Sequence, residues 1–255
     1  METRGTAARK YAMLRKLGPA AATVVVAACT LPRADRFIPP PPRAVVAGAE
    51  PSPPAALQED GQRIVKKMAT AYDAVEDYQA EVETVFFAAD GSFTTQKSWY
   101  TFRKPHWIRL DFVSPHPGMV IIYPDRNGKV LMRPQGLLSI FTFHLELDDP
   151  LLENPAAQRL NQTDLGLLIE NIRHSVTEQR RGPLSISEDN DTIRIKVLAD
   201  DHFRNGVETR YEFLISKELW LPVAVDESTA AGVQERKIFF RNLRTNINVP
   251  EGRFR

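Results

Sequence analysis

The sequence predicts an α+β fold, mainly β, in which one large curved antiparallel sheet has its concave face covered by amphipathic helices. The 255 residues, 43% of them hydrophobic and 25% charged, are enough for one sizeable core. Many segments alternate apolar and polar residues and are separated by turn signals, which is typical of antiparallel strands. Two further segments repeat apolar residues at helical spacing, and an antiparallel sheet of many strands must curl and needs cover on its concave face.

The first predicted element is an amphipathic helix from Leu57 to Asp77. Its apolar positions recur three and four residues apart between charged neighbours. They are Leu57, Ile64, Met68, Ala71 and Val75. Such a helix needs another element on which to bury its apolar face.

From Tyr78 the period changes to two, which predicts a half-buried strand as far as Phe86. Asp90-Gly91 then supplies a hairpin turn, and Asn127-Gly128 and Asn205-Gly206 repeat that chemistry. Nine further segments are predicted strands: 95–103, 107–113, 119–123, 129–133, 137–147, 192–198, 208–215, 222–227 and 234–240.

A second helix interrupts the series of strands, from Asp164 to Arg173. We expect Thr163 to cap its amino end. Its apolar face consists of Leu165, Leu168, Ile169 and Ile172. The two helices together can cover the concave face of the sheet.

Six motifs follow one another along the predicted domain: Tyr78-Gln79-Ala80-Glu81-Val82, Phe102-Arg103-Lys104-Pro105, Ile108-Arg109-Leu110-Asp111-Phe112, Tyr123-Pro124-Asp125-Arg126-Asn127-Gly128, Thr163-Asp164-Leu165-Gly166-Leu167 and Trp220-Leu221-Pro222. Their order resembles the bacterial lipoprotein-carrier superfamily of Lol type (LolA/LolB-like), and within it the uncharacterised lipoprotein-sorting branch. The resemblance covers Leu57 to Val249. It implies a half-open barrel lidded by helices, with a hydrophobic cavity that holds acyl chains.

The alternation gives each of the first three strands an apolar face, and the resemblance makes these faces the wall of a lipid cavity. The expected lining residues are Tyr78, Val82, Phe86, Tyr100, Phe102, Ile108, Leu110 and Phe112. Periodicity alone also allows an ordinary packed core at these positions. The resemblance further implies a lid contact at Lys104, where the carriers usually have arginine. Lysine lacks the forked donors of a guanidinium, so a latch there would be looser or different.

The amino-terminal segment has the layout of an export signal. A basic part that ends at Lys16 precedes an apolar part from Pro19 to Ala28, which is too short to span a bilayer. Val26-Ala27-Ala28-Cys29 resembles the bacterial lipobox, in which the cysteine is acylated after cleavage. The predicted organisation is a signal peptide at 1–28, a lipidated Cys29 with a Pro-rich tether to residue 56, and a lipid-binding domain at 57–255. Thr30 resembles lipoproteins that are sent to the outer membrane, where the domain would face the periplasm.

The composition and motifs argue against several other classes. The predicted signal peptide contains five of the 33 basic residues and one of the 32 acidic residues, so the remainder is net acidic and nucleic acid is not an expected partner. No nucleophile elbow, phosphate loop, dinucleotide fingerprint or zinc-protease motif occurs, so we expect neither an enzyme nor a cofactor. His144, Glu146 and Asp148 share one face of a predicted strand, but they also fit an ordinary solvent-facing surface, so we predict no metal site.

Two functional hypotheses therefore remain open. In the first, a protein held at the membrane by Cys29 binds the acyl chain of a lipid or lipoprotein, and holds it or passes it on. In the second, a sensor or scaffold of the same fold binds an envelope protein partner. A metal-dependent envelope enzyme centred on His144 is the weakest alternative.

Overall fold

The computed structural model describes residues 55–152, 159–177 and 180–255. The predicted signal peptide, Cys29 and almost all of the tether lie outside these residues. Within them the helices are α1 (Ala55–Asp73) and α2 (Leu165–Val176). The strands are β1 (Asp77–Phe87), β2 (Phe93–Arg103), β3 (Trp107–Ser114), β4 (Val120–Tyr123), β5 (Val130–Arg133), β6 (Phe143–Leu145), β7 (Ser185–Glu188), β8 (Thr192–Asp200), β9 (Glu208–Ser216), β10 (Pro222–Thr229) and β11 (Gln234–Thr245).

All eleven strands belong to one antiparallel sheet, in the order β6-β5-β4-β3-β2-β1-β11-β10-β9-β8-β7. The first and last strands pair at its centre, where Val82 lies opposite Phe240. Among the described residues the edge strands β6 and β7 do not pair with each other, so the sheet stays open. The predicted mainly-β fold is confirmed, and its form is consistent with a half-open barrel.

Sequence alternation decides which face of the sheet is buried. The inner face combines large apolar residues of every long strand, among them Tyr78, Phe102, Ile108, Phe213 and Ile195, and they join α1 and α2 in one core cluster. The predicted turns are also confirmed, because Gly91, Gly128 and Gly206 all adopt positive φ. Each of these glycines follows an Asp or Asn, the combination that hairpin turns favour.

A second, smaller core lies on the outer face. After β11 the chain crosses the outside of β3 to β5 as a carboxy-terminal strap (residues 246–255). Phe254 is buried there and meets the ring of Trp107 edge-on at 5.4 Å, and Val249 packs in the same cluster. Asp77 holds the start of the strap by accepting hydrogen bonds from the amides of Ile247 and Val249.

The predicted first helix ends four residues too late. α1 stops at Asp73, since Lys104 binds the carbonyl oxygens of Tyr72 and Asp73 and the amide of Val75 closes a turn onto Tyr72. Asp77 belongs to β1 instead. The cause is a tertiary contact, because the Asp77 carboxylate accepts hydrogen bonds from backbone amides of the carboxy-terminal strap.

The predicted strand 137–147 is also wrong over most of its length. Pro134 lacks an amide donor and Gly136 has a φ of +63°, so the ladder stops after β5 and the chain makes a 3₁₀ turn at Gly136–Ile140. Only Phe143–Leu145 forms a strand. Conversely, β7 was not predicted, because its four residues contain a single large apolar side chain, Ile186.

Candidate functional site

The predicted lining residues of β1, β2 and β3 come together on the inner face. Tyr78 lies opposite Phe102, which lies opposite Ile108, and two residues along the strands Tyr100 lies opposite Leu110. The Tyr78 ring stacks on those of Phe102 and Tyr100, at centroid distances of 5.0 and 5.8 Å. The remaining three members, Val82, Phe86 and Phe112, occupy the same face by register. We call these eight residues the inner wall.

Burial is uneven along the inner wall. At the end of the sheet where β1 begins, Tyr78, Phe102 and Ile108 are fully buried. Toward the opposite end Val82 and Phe86 are only half-buried, although Phe112 there is buried. Val82 and Phe86 are thus partly exposed apolar side chains of the wall, and their cross-strand neighbours include Ser98, Thr94 and Arg236. That the wall binds a lipid stays a prediction.

The amino end of α2 is fastened to the buried part of the wall. The amide of Leu165 donates to the Tyr78 hydroxyl at 3.0 Å, and the Tyr100 hydroxyl lies 3.2 Å from Thr163 Oγ1. Burial, together with the nearby Tyr100 and Asp164, raises the pKa of Tyr78 far above its usual value. Both tyrosines are therefore neutral, and their hydroxyls act as fixed polar contacts within an apolar wall.

Asp164, not the predicted Thr163, caps α2. Its carboxylate accepts hydrogen bonds from the amides of Gly166 and Leu167 and, at 3.2 Å, from the Tyr72 hydroxyl of α1. Thr163 instead donates to the carbonyl of Leu160. Thus one carboxylate joins the two helices and ends the loop that precedes α2.

The helices pack closely because glycine occurs where they cross. A Cβ on Gly166 would come within 2.6 Å of the Tyr72 ring, and one on Gly61 within 2.6 Å of Val176. Each position therefore has no room for a larger side chain unless its neighbour moves. The two helices form one unit over the β7–β10 half of the inner face.

Lys104, the predicted lid contact, lies against α1. Its ammonium donates to the carbonyls of Tyr72 and Asp73 at 3.2 and 2.9 Å, and sits 5.2 Å from the centre of the Tyr72 ring. The last carbonyls of a helix carry partial negative charge, which a compact cation complements. A lysine can thus make this contact without the forked donors of an arginine.

A buried ion pair on the inner face was not predicted. Arg236 of β11 donates to both carboxylate oxygens of Glu227 on β10, at 2.9 and 2.7 Å, and both residues are buried. The Tyr211 hydroxyl is nearby, and burial together with Glu227 raises its pKa. The alternation of β10 and β11 contained the signal, since an acid and a base share the apolar face with Val225 and Ile238.

The described residues contain no cluster of three or more histidine, cysteine, aspartate or glutamate residues that could hold a metal. His144 lies on the outer face, where its Nδ1 contacts Asp125, and Glu146 pairs with Lys129. A polar pocket of about 410 Å³ lies between β8 and β9 and does not include the inner wall. Its lining residues are Arg181, Asp200, Asp201, Asn205, Gly206 and Glu208.

None of the helices in the described part of the chain combines the length and the apolar character that crossing a bilayer requires.

The geometry defines a class of protein: an open, curved antiparallel sheet with two helices against its inner face. No protein-family model matches the chain, and no curated protein matches it by sequence. Solved structures do match it. A LolA superfamily protein from Nitrosomonas europaea is 11% identical, with a TM-score of 0.35 over 76% of this chain and 97% of that one.

Two further solved structures show the range of these matches. A Vibrio parahaemolyticus domain described as an outer membrane lipoprotein-sorting protein is 12% identical, with a TM-score of 0.40 over 77% of this chain and 97% of that one. The MucA/MucB complex of Pseudomonas aeruginosa is 13% identical, with a TM-score of 0.42 over 77% and 60%. The superfamily that the sequence resembles is thus among the structural neighbours. At such identities and TM-scores the matches establish no function.

Proposed function

We propose that this protein is an envelope lipoprotein, anchored to a membrane through Cys29, whose inner wall binds the acyl chain of a lipid or of another lipoprotein. The burial gradient along the wall carries the proposal. Val82 and Phe86 continue the inner wall from its buried aromatic part toward one end of the sheet, and both are only half-buried there. In this role the protein holds an acyl chain or passes it on and catalyses no reaction.

The physical reason for such a protein is the cost of exposing acyl chains to water, about 0.8 kcal/mol per CH₂. A wall of strands shields the chain, and transfer without an energy source requires only a receiving site that binds more tightly. Two polar contacts fasten the start of α2 to the wall, Leu165 with Tyr78 and Thr163 with Tyr100, and the buried Leu165 and Ile169 pack in the same core cluster.

The anchor is the second part of the proposal. Acylation of Cys29 would attach the chain to a lipid surface, and the Pro-rich segment up to residue 54 would hold the domain away from it. Thr30 favours the outer membrane, with the domain in the periplasm. A protein held in this way suits the receiving end of a transfer better than a soluble shuttle.

Native mass spectrometry tests acyl-chain binding. The protein, produced in a bacterial envelope and purified gently, is expected to carry a lipid. Leu110→Glu places a charge on the inner wall and should abolish lipid retention, whereas Val113→Glu, on the same strand but exposed, should not. Val82→Trp, which fills the wall without a charge, should also reduce retention.

Equal retention by the wild type, Leu110→Glu and Val82→Trp would contradict the proposal. An empty wild type that co-purifies with a stoichiometric protein partner would favour the sensor or scaffold instead.

The anchor is tested by cell fractionation of Cys29→Ser. Loss of the acylated cysteine should move the protein from the membrane pellet to the soluble fraction or block its maturation, and should abolish incorporation of labelled palmitate. An unchanged, labelled pellet fraction would contradict the lipobox assignment.

A further inference from the structure

The two most exposed large apolar side chains of the described residues, Leu137 and Ile140, occur in one short turn, and the exposed Phe141 follows them directly. Leu137 is 95% exposed, Ile140 81% and Phe141 47%. In a 3₁₀ helix the side chains at i and i+3 lie on the same side, so Leu137 and Ile140 project together. Single exposed apolar residues are ordinary, whereas three within five residues form a patch. We call residues 136–141 the apolar tip.

Contacts with the rest of the fold hold the tip in place. Pro134 and Leu145, which flank it, are buried, Leu138 is half-buried, and Phe143 packs against the main core. The amide of Phe141 donates to the carbonyl of Leu138 at 3.0 Å, which closes the turn. The flanking residues and this hydrogen bond thus fix the backbone of the turn, while Leu137 and Ile140 point into solvent.

Other exposed apolar residues lie at the same end of the sheet. Phe93 begins β2, Val113 precedes the last residue of β3, and Val207 and Val233 immediately precede β9 and β11. In an antiparallel sheet these positions share one end. Of the large apolar residues exposed in the described part of the chain, only Ile247 lies at the opposite end. The half-buried end of the inner wall, at Phe86, faces the same way as the tip.

The apolar tip itself carries no charge. Residues 134–143 contain no ionisable side chain, in a protein that is 25% charged, and an exposed arginine, Arg133, stands at the base of the tip. An uncharged apolar protrusion with a cation at headgroup level is the pattern of segments that insert shallowly into membranes that contain anionic lipids.

We propose that the apolar tip inserts into the lipid surface to which Cys29 anchors the chain, so that acyl chains pass directly between the bilayer and the inner wall. This inference rests on the proposed function, which supplies the anchor. At about 3.1 Å per residue, the chain between Cys29 and Ala55 spans at most about 80 Å, so the tip stays within reach of the membrane. At the resulting effective concentration even a weak insertion is populated.

A fluorophore at the tip tests the insertion. The chain contains one cysteine, Cys29, so residues 29–255 with Cys29→Ser provide a cysteine-free background. Ser139→Cys, exposed on the tip, is labelled with an environment-sensitive dye, and Ile247→Cys at the other end of the sheet is the matched control. Vesicles of phosphatidylcholine that contain phosphatidylglycerol are then added. The emission of the label at 139 should shift to the blue and be quenched by brominated acyl chains. The emission of the label at 247 should change in neither way.

Vesicle binding gives the second readout. Leu137→Ser/Ile140→Ser should lower the vesicle partition coefficient at least about tenfold, and Ile247→Ser should leave it unchanged. Equal responses of the two labels, or no response of the label at 139, would overturn the inference. So would binding that depends on phosphatidylglycerol but not on Leu137 and Ile140, or self-association through the tip without vesicles.

A third measurement separates this inference from the proposed function. Binding of a fluorescent fatty acid in vesicle-free solution should be the same for the wild type and Leu137→Ser/Ile140→Ser. Insertion of the tip without any fatty-acid binding would overturn the proposed function and support the inference. Fatty-acid binding without insertion of the tip would support the proposed function and overturn the inference.

Discussion

Asp164 shows how a single side chain can organise the cover of the inner wall. It caps α2 through two amides and also accepts the Tyr72 hydroxyl, which joins α2 to α1. Asp164→Ala should lower the free energy of unfolding by about 1–2 kcal/mol, since the cap is lost, whereas Asp164→Asn keeps an acceptor and should lose much less. Urea unfolding measures both, and equal losses would contradict the role of the cap.

His202 makes the stability of the protein depend on pH. Its ring stacks on His174 of α2 at a centroid distance of 5.0 Å and meets Phe203 edge-on. Burial, followed by the charge of the neighbouring His174, lowers the pKa of His202, while Asp201 and Glu170 oppose the shift. The folded state therefore favours neutral His202.

The sign of the effect follows from this shift. Below the unfolded pKa of about 6.5 the unfolded chain binds more protons, so stability is lost as the pH falls. His202→Gln should therefore show a smaller decrease in the free energy of unfolding between about pH 7 and about pH 5.5 than the wild type does. Urea titrations across this range test it, and an identical decrease in both proteins would count against the stacked pair as its source.

At the scale of elements, the carboxy-terminal strap accounts for the outer face. Phe254 is 2% exposed and packs on Trp107, so Phe254→Ala should lower the free energy of unfolding by about 3 kcal/mol. Arg255→Ala, one residue further on and exposed, is the control and should change it by less than about 0.5 kcal/mol. A similar small effect of both changes would mean that the strap contributes little to folding.

The pairing of β10 with β11 includes the buried Glu227–Arg236 pair. Glu227→Leu alone leaves the Arg236 guanidinium without its carboxylate and should cost about 3–5 kcal/mol of folding free energy. The double change Glu227→Leu/Arg236→Met removes both charges and should be more stable than the single change. A double variant as unstable as the sum of the two singles would contradict this account of the pair.

The strands and their faces could be predicted because both depend on local patterns. The alternation from Tyr78 placed Tyr78 and Val82 on one face, and the Asp-Gly and Asn-Gly pairs marked the turns correctly. The wrong predictions occur where contacts with distant parts of the chain determine the local structure. Asp77 continued the helical pattern, yet hydrogen bonds to Ile247 and Val249 place it in β1. In 137–147 a run of apolar residues fits a strand and an exposed turn equally well.

The candidate site was predictable to a similar degree. Alternation identified the residues of the inner wall, but periodicity does not distinguish a filled interior from one that opens for a ligand. Glu227 and Arg236 were missed because a charged residue on a half-buried strand usually indicates solvent. The exposure of Leu137 and Ile140 has no local signal, since it depends on what lies beneath the turn.

On the scale of the whole molecule, one open sheet with partly exposed apolar residues on its inner face is the observed feature, and the anchor at Cys29 belongs to the proposed function. Photolabelling tests acyl-chain binding by the inner wall most directly. The lipid-free chain of residues 29–255 with Cys29→Ser is mixed with a fatty acid that carries a photoreactive group near its methyl end. The mixture is then irradiated, and the protein is digested. The account predicts labelled peptides from the inner faces of β1, β2 and β3, around Val82, Phe86 and Leu110, and competition by unlabelled fatty acid. Labels confined to the outer face or the apolar tip, without competition, would contradict it.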